Sequence, residues 1–425
     1  MRRTVLHSIL PHRFPLCKRP ISFHVTRVEL KHGGHLAYCT NIHRGETWAE
    51  TLAALQTHTL AVRECVAPHA PFAIGLRLSA AAARELSDRA TRLVFQRWLA
   101  AHDCYVFTIN GFPYGQFHGA RVKSAVYTPD WTTPERLDYT NCLFEILAEL
   151  VPPGIAGSVS TLPGSFKAFI QSPEQVTAIR ENLWRCVEHL AQVSHASGRQ
   201  LHLGLEPEPL CLLENTRETV EFFAALRRDR PGDDRARDFL GVNYDTCHLA
   251  VEFEEPRTAL AQLQAAGIKI SKIHLSSALK TIPTPEARAA LGQFADEVYL
   301  HQVVARNATG QLAYYQDLPD ALAVPAPGPE TRLSPAEWRI HFHVPLHAPV
   351  MPPFASTSDH LLGTLDALAQ NPTLCQHLEM ETYTWEVLPA EFKSQSVVDQ
   401  LAAEYAWTLA RLAERGLAED RLAKS

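Results

Sequence analysis

Eight short apolar runs, most of them rich in β-branched or aromatic residues, recur along the chain at 36–41, 72–78, 105–110, 157–162, 201–206, 239–245, 268–275 and 377–381. Runs of this length, bounded by Gly, Pro, Asn or Asp, read as strands buried on both faces, which a parallel sheet requires. Amphipathic stretches with helical spacing follow most of them, at 48–65, 80–101, 134–151, 173–197, 216–228 and 257–266, and a last one closes the chain at 396–414. Strands alternating with helices predict an α/β fold, and eight such strands predict a (β/α)8 TIM barrel. A doubly wound open sheet is the alternative, but no Gly-rich dinucleotide fingerprint follows the first strand.

Two segments exceed what a minimal barrel needs. Residues 111–133 form a loop rich in Gly, Pro and aromatics after the third strand, and residues 276–372 separate the last two strands. The second holds an alternating run at 297–304, a turn at 307–310 and another run at 311–315, the pattern of a β-hairpin. A Pro/Ala-rich bend at 324–329 and a further run at 339–344 follow. Long loops on one face of a barrel shape its active site. The expected organisation is therefore an N-terminal extension (1–34) and one barrel (35–425), with 276–372 inserted over the active-site face.

Composition narrows the class. Hydrophobic residues make up 46% and charged residues 20%, with a net charge of -6, as expected of a soluble globular protein. No long basic block appears, so nucleic acid is not the expected partner. The nine cysteines are scattered and none forms a Cys-x-x-Cys pair, which fits reduced thiols in a cytoplasmic protein. Arg2 and Arg3 open the chain, but His7, Pro11, His12, Arg13 and Pro15 interrupt any apolar segment, so no secretory signal is expected. No window has the length of a membrane-spanning helix. A small molecule is the expected partner.

The chemistry concentrates at strand ends. Asp245-Thr246-Cys247-His248 follows the sixth run, so a carboxylate and an imidazole three residues apart stand where a strand stops. Glu206 ends the fifth run, His274 lies near the end of the seventh, and Glu381 ends the eighth. Active sites of parallel barrels lie at the C-terminal strand ends. Carboxylates gathered there repel one another unless a cation lies between them. Three carboxylates and one imidazole form a largely hard ligand set, suited to one divalent ion, Mn²⁺ or Mg²⁺, with Co²⁺ and Zn²⁺ as alternatives. Each residue alone has a plainer explanation. Glu208 and Glu214 are readable as loop acids, His202 as a packed core histidine, and His341 and His343 as one polar face of a strand. The joint occurrence at consecutive strand ends favours the metal.

The strand-end motifs Asp245-Thr246-Cys247-His248, Lys272-Ile273-His274-Leu275-Ser276-Ser277 and Met380-Glu381-Thr382 resemble those of the xylose-isomerase-like barrel superfamily, which includes sugar isomerases, ketose epimerases and endonuclease IV-type enzymes. Over nearly the whole length, Tyr38-Cys39-Thr40-Asn41-Ile42-His43, Gly75-Leu76-Arg77-Leu78-Ser79, Asn110-Gly111-Phe112-Pro113-Tyr114-Gly115, Leu205-Glu206-Pro207-Glu208-Pro209 and Glu381-Thr382-Tyr383-Thr384-Trp385 resemble the EboE family. Members of that family are labelled metabolite traffic proteins, after a bacterial gene cluster linked to export of secondary metabolites. The resemblance implies a metal held by Glu206, Asp245, His274 and Glu381. It implies Glu206 and Glu381 as the acid/base pair that moves a proton next to a carbonyl. His248 would contact a substrate oxygen, while Arg77, Lys280, His341 and His343 would hold an anionic or polyol group. It also leaves open a non-catalytic carrier that uses the same metal, and other proteins of an export system as partners. Histidines are missing at the ends of strands two and three, where Arg77-Leu78 and Asn110 stand, so a single metal is expected rather than the trinuclear zinc centre of endonuclease IV.

Overall fold

The computed structural model describes residues 28–419 apart from 29, 120, 326–334, 349–351, 391–392 and 395. Most of the 1–34 extension, with the basic start of the chain, lies outside these residues, as does much of the 324–329 bend. The described part of the extension is tied to the other end of the chain: Leu30 bridges Ala418 and the Lys31 N–H donates to Leu417 O at 2.8 Å.

The strands are β1 (His35–Tyr38), β2 (Phe72–Arg77), β3 (Cys104–Asn110), β4 (Gly157–Thr161), β5 (Leu201–Leu205), β6 (Leu240–Asp245), β7 (Lys269–Leu275), β8 (Ala278–Thr281), β9 (Val303–Asn307), β10 (Leu312–Tyr315), β11 (Pro335–His343), β12 (Phe354–Ser356) and β13 (His377–Met380). Eight of them form one parallel sheet in the order β1-β13-β7-β6-β5-β4-β3-β2. A bridge between Cys39 and Gly75 joins its two edges, so the sheet closes into a TIM barrel. The eight expected runs are these eight strands, shifted by at most one residue at their ends except that β1 stops three residues before the first run does.

Outward-facing strand residues such as Leu203, Val242, Ile273 and Leu378 pack with the surrounding helices into the main apolar core. The interior is different. Along β7 and β13 the alternate residues Lys272 and His274, and His377 and Glu379, are all buried, and β4 adds Ser158 and Ser160. Polar layers rather than aliphatic ones thus fill the middle of this barrel. At its base the His202 and His377 Nδ1 atoms meet Ser271 Oγ at 2.6 Å and Ser158 Oγ at 2.8 Å. In the middle, Lys272 Nζ donates to Glu379 Oε2 at 2.5 Å and to Ser160 Oγ at 3.0 Å. Gly75 makes room for this ion pair: a Cβ there would stand 2.0 Å from Glu379 Oε1 and 2.6 Å from Tyr38 O.

Two expected helices differ in detail. The 48–65 stretch contains a π-helical turn over Leu55–Thr59. The 80–101 stretch is two helices, because Asp88 leaves helical geometry and its side chain caps the second by accepting from the Thr91 N–H.

The 276–372 segment builds a second, antiparallel sheet in the order β10-β9-β11-β8-β12. The expected hairpin is β9–β10, but its first strand starts later than the alternation suggested. Asp296 Oδ1 accepts from the Val298 and Tyr299 N–H groups and holds that stretch in a turn. Alternation along β11 sends Ile340 and Phe342 into a separate apolar core with Val303, Trp338 and Phe354, and turns His341 and His343 the other way. Among the described residues no helix is long and apolar enough to cross a membrane.

Candidate metal centre

The strand register carries the four expected ligands to one rim. Asp245 and His274 are paired partners on β6 and β7. Glu206 and Glu381 continue the ladders beyond β5 and β13, donating their N–H groups to Thr161 O (3.0 Å) and Leu275 O (3.1 Å). His274 Nδ1 lies 3.1 Å from Glu206 Oε1, 3.1 Å from Glu381 Oε2 and 3.4 Å from Asp245 Oδ2. One ligand atom from each of the four residues falls within a 4.8 Å sphere of mutual separation, and all four residues are buried.

Amides hold the glutamates in place. Asn243 Nδ2 donates to Glu206 Oε2 at 2.7 Å, and Asn41 Nδ2 and Asn110 Nδ2 donate to Glu381 Oε1 at 2.7 and 3.1 Å. Asp245 Oδ1 accepts from Ser276 Oγ (2.6 Å) and from the Cys247 and His248 N–H groups (2.7 and 3.1 Å). Its Oδ2 is buried and has no hydrogen-bond partner.

Electrostatics reflect this crowding of acids. Burial alone would lower the pKa of His274, but Glu381 and Glu206 overcome it and hold the ring well above the ordinary imidazole range. Its Nε2 faces Glu379 Oε2 at 2.8 Å. Glu379, against the effect of its burial, is brought down to about 2 by Lys272 and His274. The charged ring therefore occupies the place among three carboxylates that a cation would take. A compact hard donor set with an orphaned carboxylate oxygen fits a divalent ion, for which His274 would give up its proton.

Above this cluster opens a cleft with about 520 Å³ of empty space, its mouth included. Glu206, Glu381, His248 and His341 line it, whereas Asp245 and His274 lie beneath. The loop after β3 supplies Phe112, Phe117 and Tyr127, and the inserted segment adds Tyr299. Glu208 faces the same space. Burial first, and the Glu206 charge after it, raise its carboxyl to about 8 despite hydrogen bonds from Tyr127 (2.6 Å) and Gln302 (3.2 Å).

The remaining expected site residues divide. His343 stands next to His341, with their Nε2 atoms 3.2 Å apart, and His248 Nε2 is 3.0 Å from His341 Nε2. Arg77 and Lys280 are not brought to the cleft. Arg77 is buried between loops, donating to Gly45 O (2.7 Å), Gly115 O (2.5 Å) and Glu46 (3.2 Å). Lys280 pairs with Asp359 at 2.8 Å. The sequence reading passed over Asn41, Asn243, Glu379 and Gln302. Two of them carry a local signal: Asn243 and Glu379 stand two residues before a ligand on the same strand, so they share its inward face.

No family model matches the chain, and no curated protein matches it. Among solved structures, it is similar to a probable 3-DHS dehydratase AsbF involved in petrobactin synthesis from Bacillus anthracis (14% identity, 87% of this chain, 97% of that chain, TM-score 0.45). It is also similar to an L-ribulose 3-epimerase (12% identity, 91% of this chain, 99% of that chain, TM-score 0.47). A third is a xylose isomerase-like TIM barrel protein from Mycobacterium smegmatis in complex with magnesium (12% identity, 90% of this chain, 97% of that chain, TM-score 0.47).

Proposed function

We propose that the protein is a divalent-metal-dependent isomerase or epimerase of the xylose-isomerase-like kind, acting on a small polyol or sugar-like metabolite. The observation that carries this reading is the placement of Glu206 and Glu381, which both line the cleft and both face the same His274 nitrogen at 3.1 Å. Glu206, Asp245, His274 and Glu381 would hold one ion, Mn²⁺, Mg²⁺, Co²⁺ or Zn²⁺. Such an ion, when bound, polarises a carbonyl and stabilises charge that develops on its oxygen.

The proton chemistry falls to the chain. Glu206 and Glu381 rise from β5 and β13, with β6 and β7 between them, so they approach a ligand from separate directions. One carboxylate removes a proton from the carbon beside the carbonyl and the other returns it. Asn243, Asn41 and Asn110 hold the two carboxylates against rotation. Asn41 Oδ1 is buried without a partner on a residue that lines the cleft, which suits a ligand hydroxyl. His248 and His341 are the imidazoles within reach of a substrate oxygen. Arg77 and Lys280 have no place in this mechanism, because both are engaged elsewhere. Lys123 is the one lysine or arginine among the lining residues, and it is paired with Asp317 at 2.6 Å. That lining suits an uncharged ligand better than a nucleic-acid backbone.

The resemblance of Leu205-Glu206-Pro207-Glu208-Pro209 and the related motifs to EboE-type metabolite traffic proteins favours a second reading, a carrier that binds its metabolite through the same metal. Deuterium incorporation separates the two. Metal-loaded protein is incubated in deuterated water with the compound it retains from a cell extract, and carbon-bound exchange is followed. Exchange is expected in wild type and should fall about 10²–10⁴-fold in Glu206→Gln and in Glu381→Gln, with metal content measured on each variant. Binding without exchange in metal-loaded wild type would sink the isomerase reading and leave the carrier.

A further inference from the structure

The cleft above the carboxylates has a polar floor and apolar walls. Strand ends of the barrel supply the floor, with Glu206 and Glu381 reaching into it and Asn41 beside them. The walls come from loops and are mostly carbon: Phe112, Phe117, Val126 and Leu300, with the rings of Tyr299 and Tyr383. Three of these rings form a cluster apart from both larger cores. Phe117 belongs to the loop after β3, Tyr299 to the inserted segment and Tyr383 to the turn after β13. Phe117 lies 5.3 Å from each of the other two ring centroids, and those two are 5.1 Å apart. Val126 packs against this cluster and is only half-buried.

Hydrogen-bonding groups within the walls are already engaged. Lys123 Nζ donates to Asp317 Oδ2 at 2.6 Å and to Asp296 O at 2.8 Å. Tyr127 Oη donates to Glu208 Oε1 at 2.6 Å and accepts from the Gln302 amide at 2.7 Å. Tyr299 Oη pairs with His118 Nδ1 at 2.5 Å. A free sugar carries hydroxyls on every side, so those turned toward such walls lose water without gaining a partner. An apolar group in the same place gains by leaving water. Room for it exists, since about 520 Å³ of empty space, mouth included, lies within the range of about 300–1,000 Å³ typical of pockets that bury drug-sized molecules.

We propose that the natural ligand is amphiphilic, with a hydroxy-carbonyl head that meets Glu206 and Glu381 and an uncharged apolar ring that lies against Phe117, Val126 and Leu300. This rests on the reading of the carboxylate cluster as a metal-assisted isomerase centre and narrows its substrate class. The floor selects the reacting group, and the walls reject a ligand that is hydroxylated throughout.

The test compares three probes on the full chain loaded with Mn²⁺. α-Hydroxyacetophenone and dihydroxyacetone share a hydroxyketone head, the first carrying a phenyl ring where the second carries a hydroxymethyl group, and D-fructose is the free sugar. Affinities are measured by isothermal titration, and bound metal by elemental analysis. α-Hydroxyacetophenone should bind about 10–100-fold more tightly than either polar probe. Phe117→Leu and Val126→Asn should each shrink that advantage at least about 3-fold while keeping the metal. Val126 is half-buried, so its variant serves where Phe117→Leu fails to fold, and thermal melts check both. Removing the metal with a chelator should weaken α-hydroxyacetophenone as well, because its head meets the carboxylate site. Equal or tighter binding of the polar probes, no binding of any probe, an undiminished advantage in both folded variants, or aryl binding indifferent to the chelator would each overturn the proposal. Metal uptake and carbon-bound exchange with no aryl preference would remove this inference and leave the isomerase reading standing. Failure to take up metal would remove both.

Discussion

At the scale of single residues, the amides beneath the glutamates deserve as much weight as the glutamates. Asn243 Nδ2 reaches both Glu206 Oε2 and the His274 ring, at 2.7 and 3.2 Å. Groups that orient ligands in this way govern metal affinity without touching the metal. Asn243→Ala is expected to weaken binding of the carboxylate-site ion about 10–100-fold while leaving the fold intact, as isothermal titration and a thermal melt would show. An unchanged affinity would mean that the carboxylate needs no support. Glu206, Asp245, His274 and Glu381 were legible in the sequence because the end of a parallel strand marks a known place in a barrel. Arg77 and Lys280, which the resemblance implies as holders of an anionic or polyol group, lie elsewhere, because a cation near a strand end pairs with whichever acid the loops bring, here Glu46 and Asp359. The facing of His248 by His341 could not be read locally. It joins residues ninety-three apart, and only the fold of the inserted sheet brings them together.

At the scale of elements, the eight barrel strands were visible and their interior was not. Runs such as 268–275 and 377–381 look apolar because their outward residues are, while the alternate inward positions carry Lys272, His274, His377 and Glu379. The signal lay in that alternation, which a run scored as buried on both faces conceals. The short strands β8 and β12 escaped notice because three or four residues carry too little pattern. Gly75 shows how one element constrains another, since β2 passes so close to Glu379 that no side chain fits. Gly75→Ala must displace a carboxylate that neutralises buried Lys272 and receives His274. The expected loss is about 2–4 kcal/mol of stability, measured by denaturant unfolding, with metal binding impaired as well. A variant as stable as wild type would show that the Lys272–Glu379 pair relocates freely.

At the scale of the whole molecule, the polar interior makes the fold acid-labile. Burial brings His202 down to about 3 and His360 to about 4, and it holds His377 well below the ordinary range. These rings are neutral when folded and charge readily when unfolded, with an unfolded pKa near about 6.5. The unfolded chain therefore binds more protons, and stability rises with pH across that window. Their contribution is full above about pH 6.5 and is lost as pH falls toward about 3–4, with a slope near 1.4 kcal/mol per pH unit for each ring. Melting temperature should accordingly drop between about pH 6.5 and 4.5, and less steeply in a His202→Gln variant. An equal slope in that variant would show that His202 takes no part.

The small sheet keeps an apolar core of its own, centred on Val303, Trp338, Ile340 and Phe342, yet it lends His341 and His343 to the barrel rim. A unit with its own core can open by itself at less cost than unfolding the whole. When it does, two of the three facing imidazoles withdraw together and Tyr299 leaves the cleft wall, while the carboxylates stay fixed on the barrel. How long a captured molecule stays is then a property of the ninety-seven inserted residues, and where its carboxylate contacts stand is a property of the barrel. The two can be tuned separately, by substitutions that never meet.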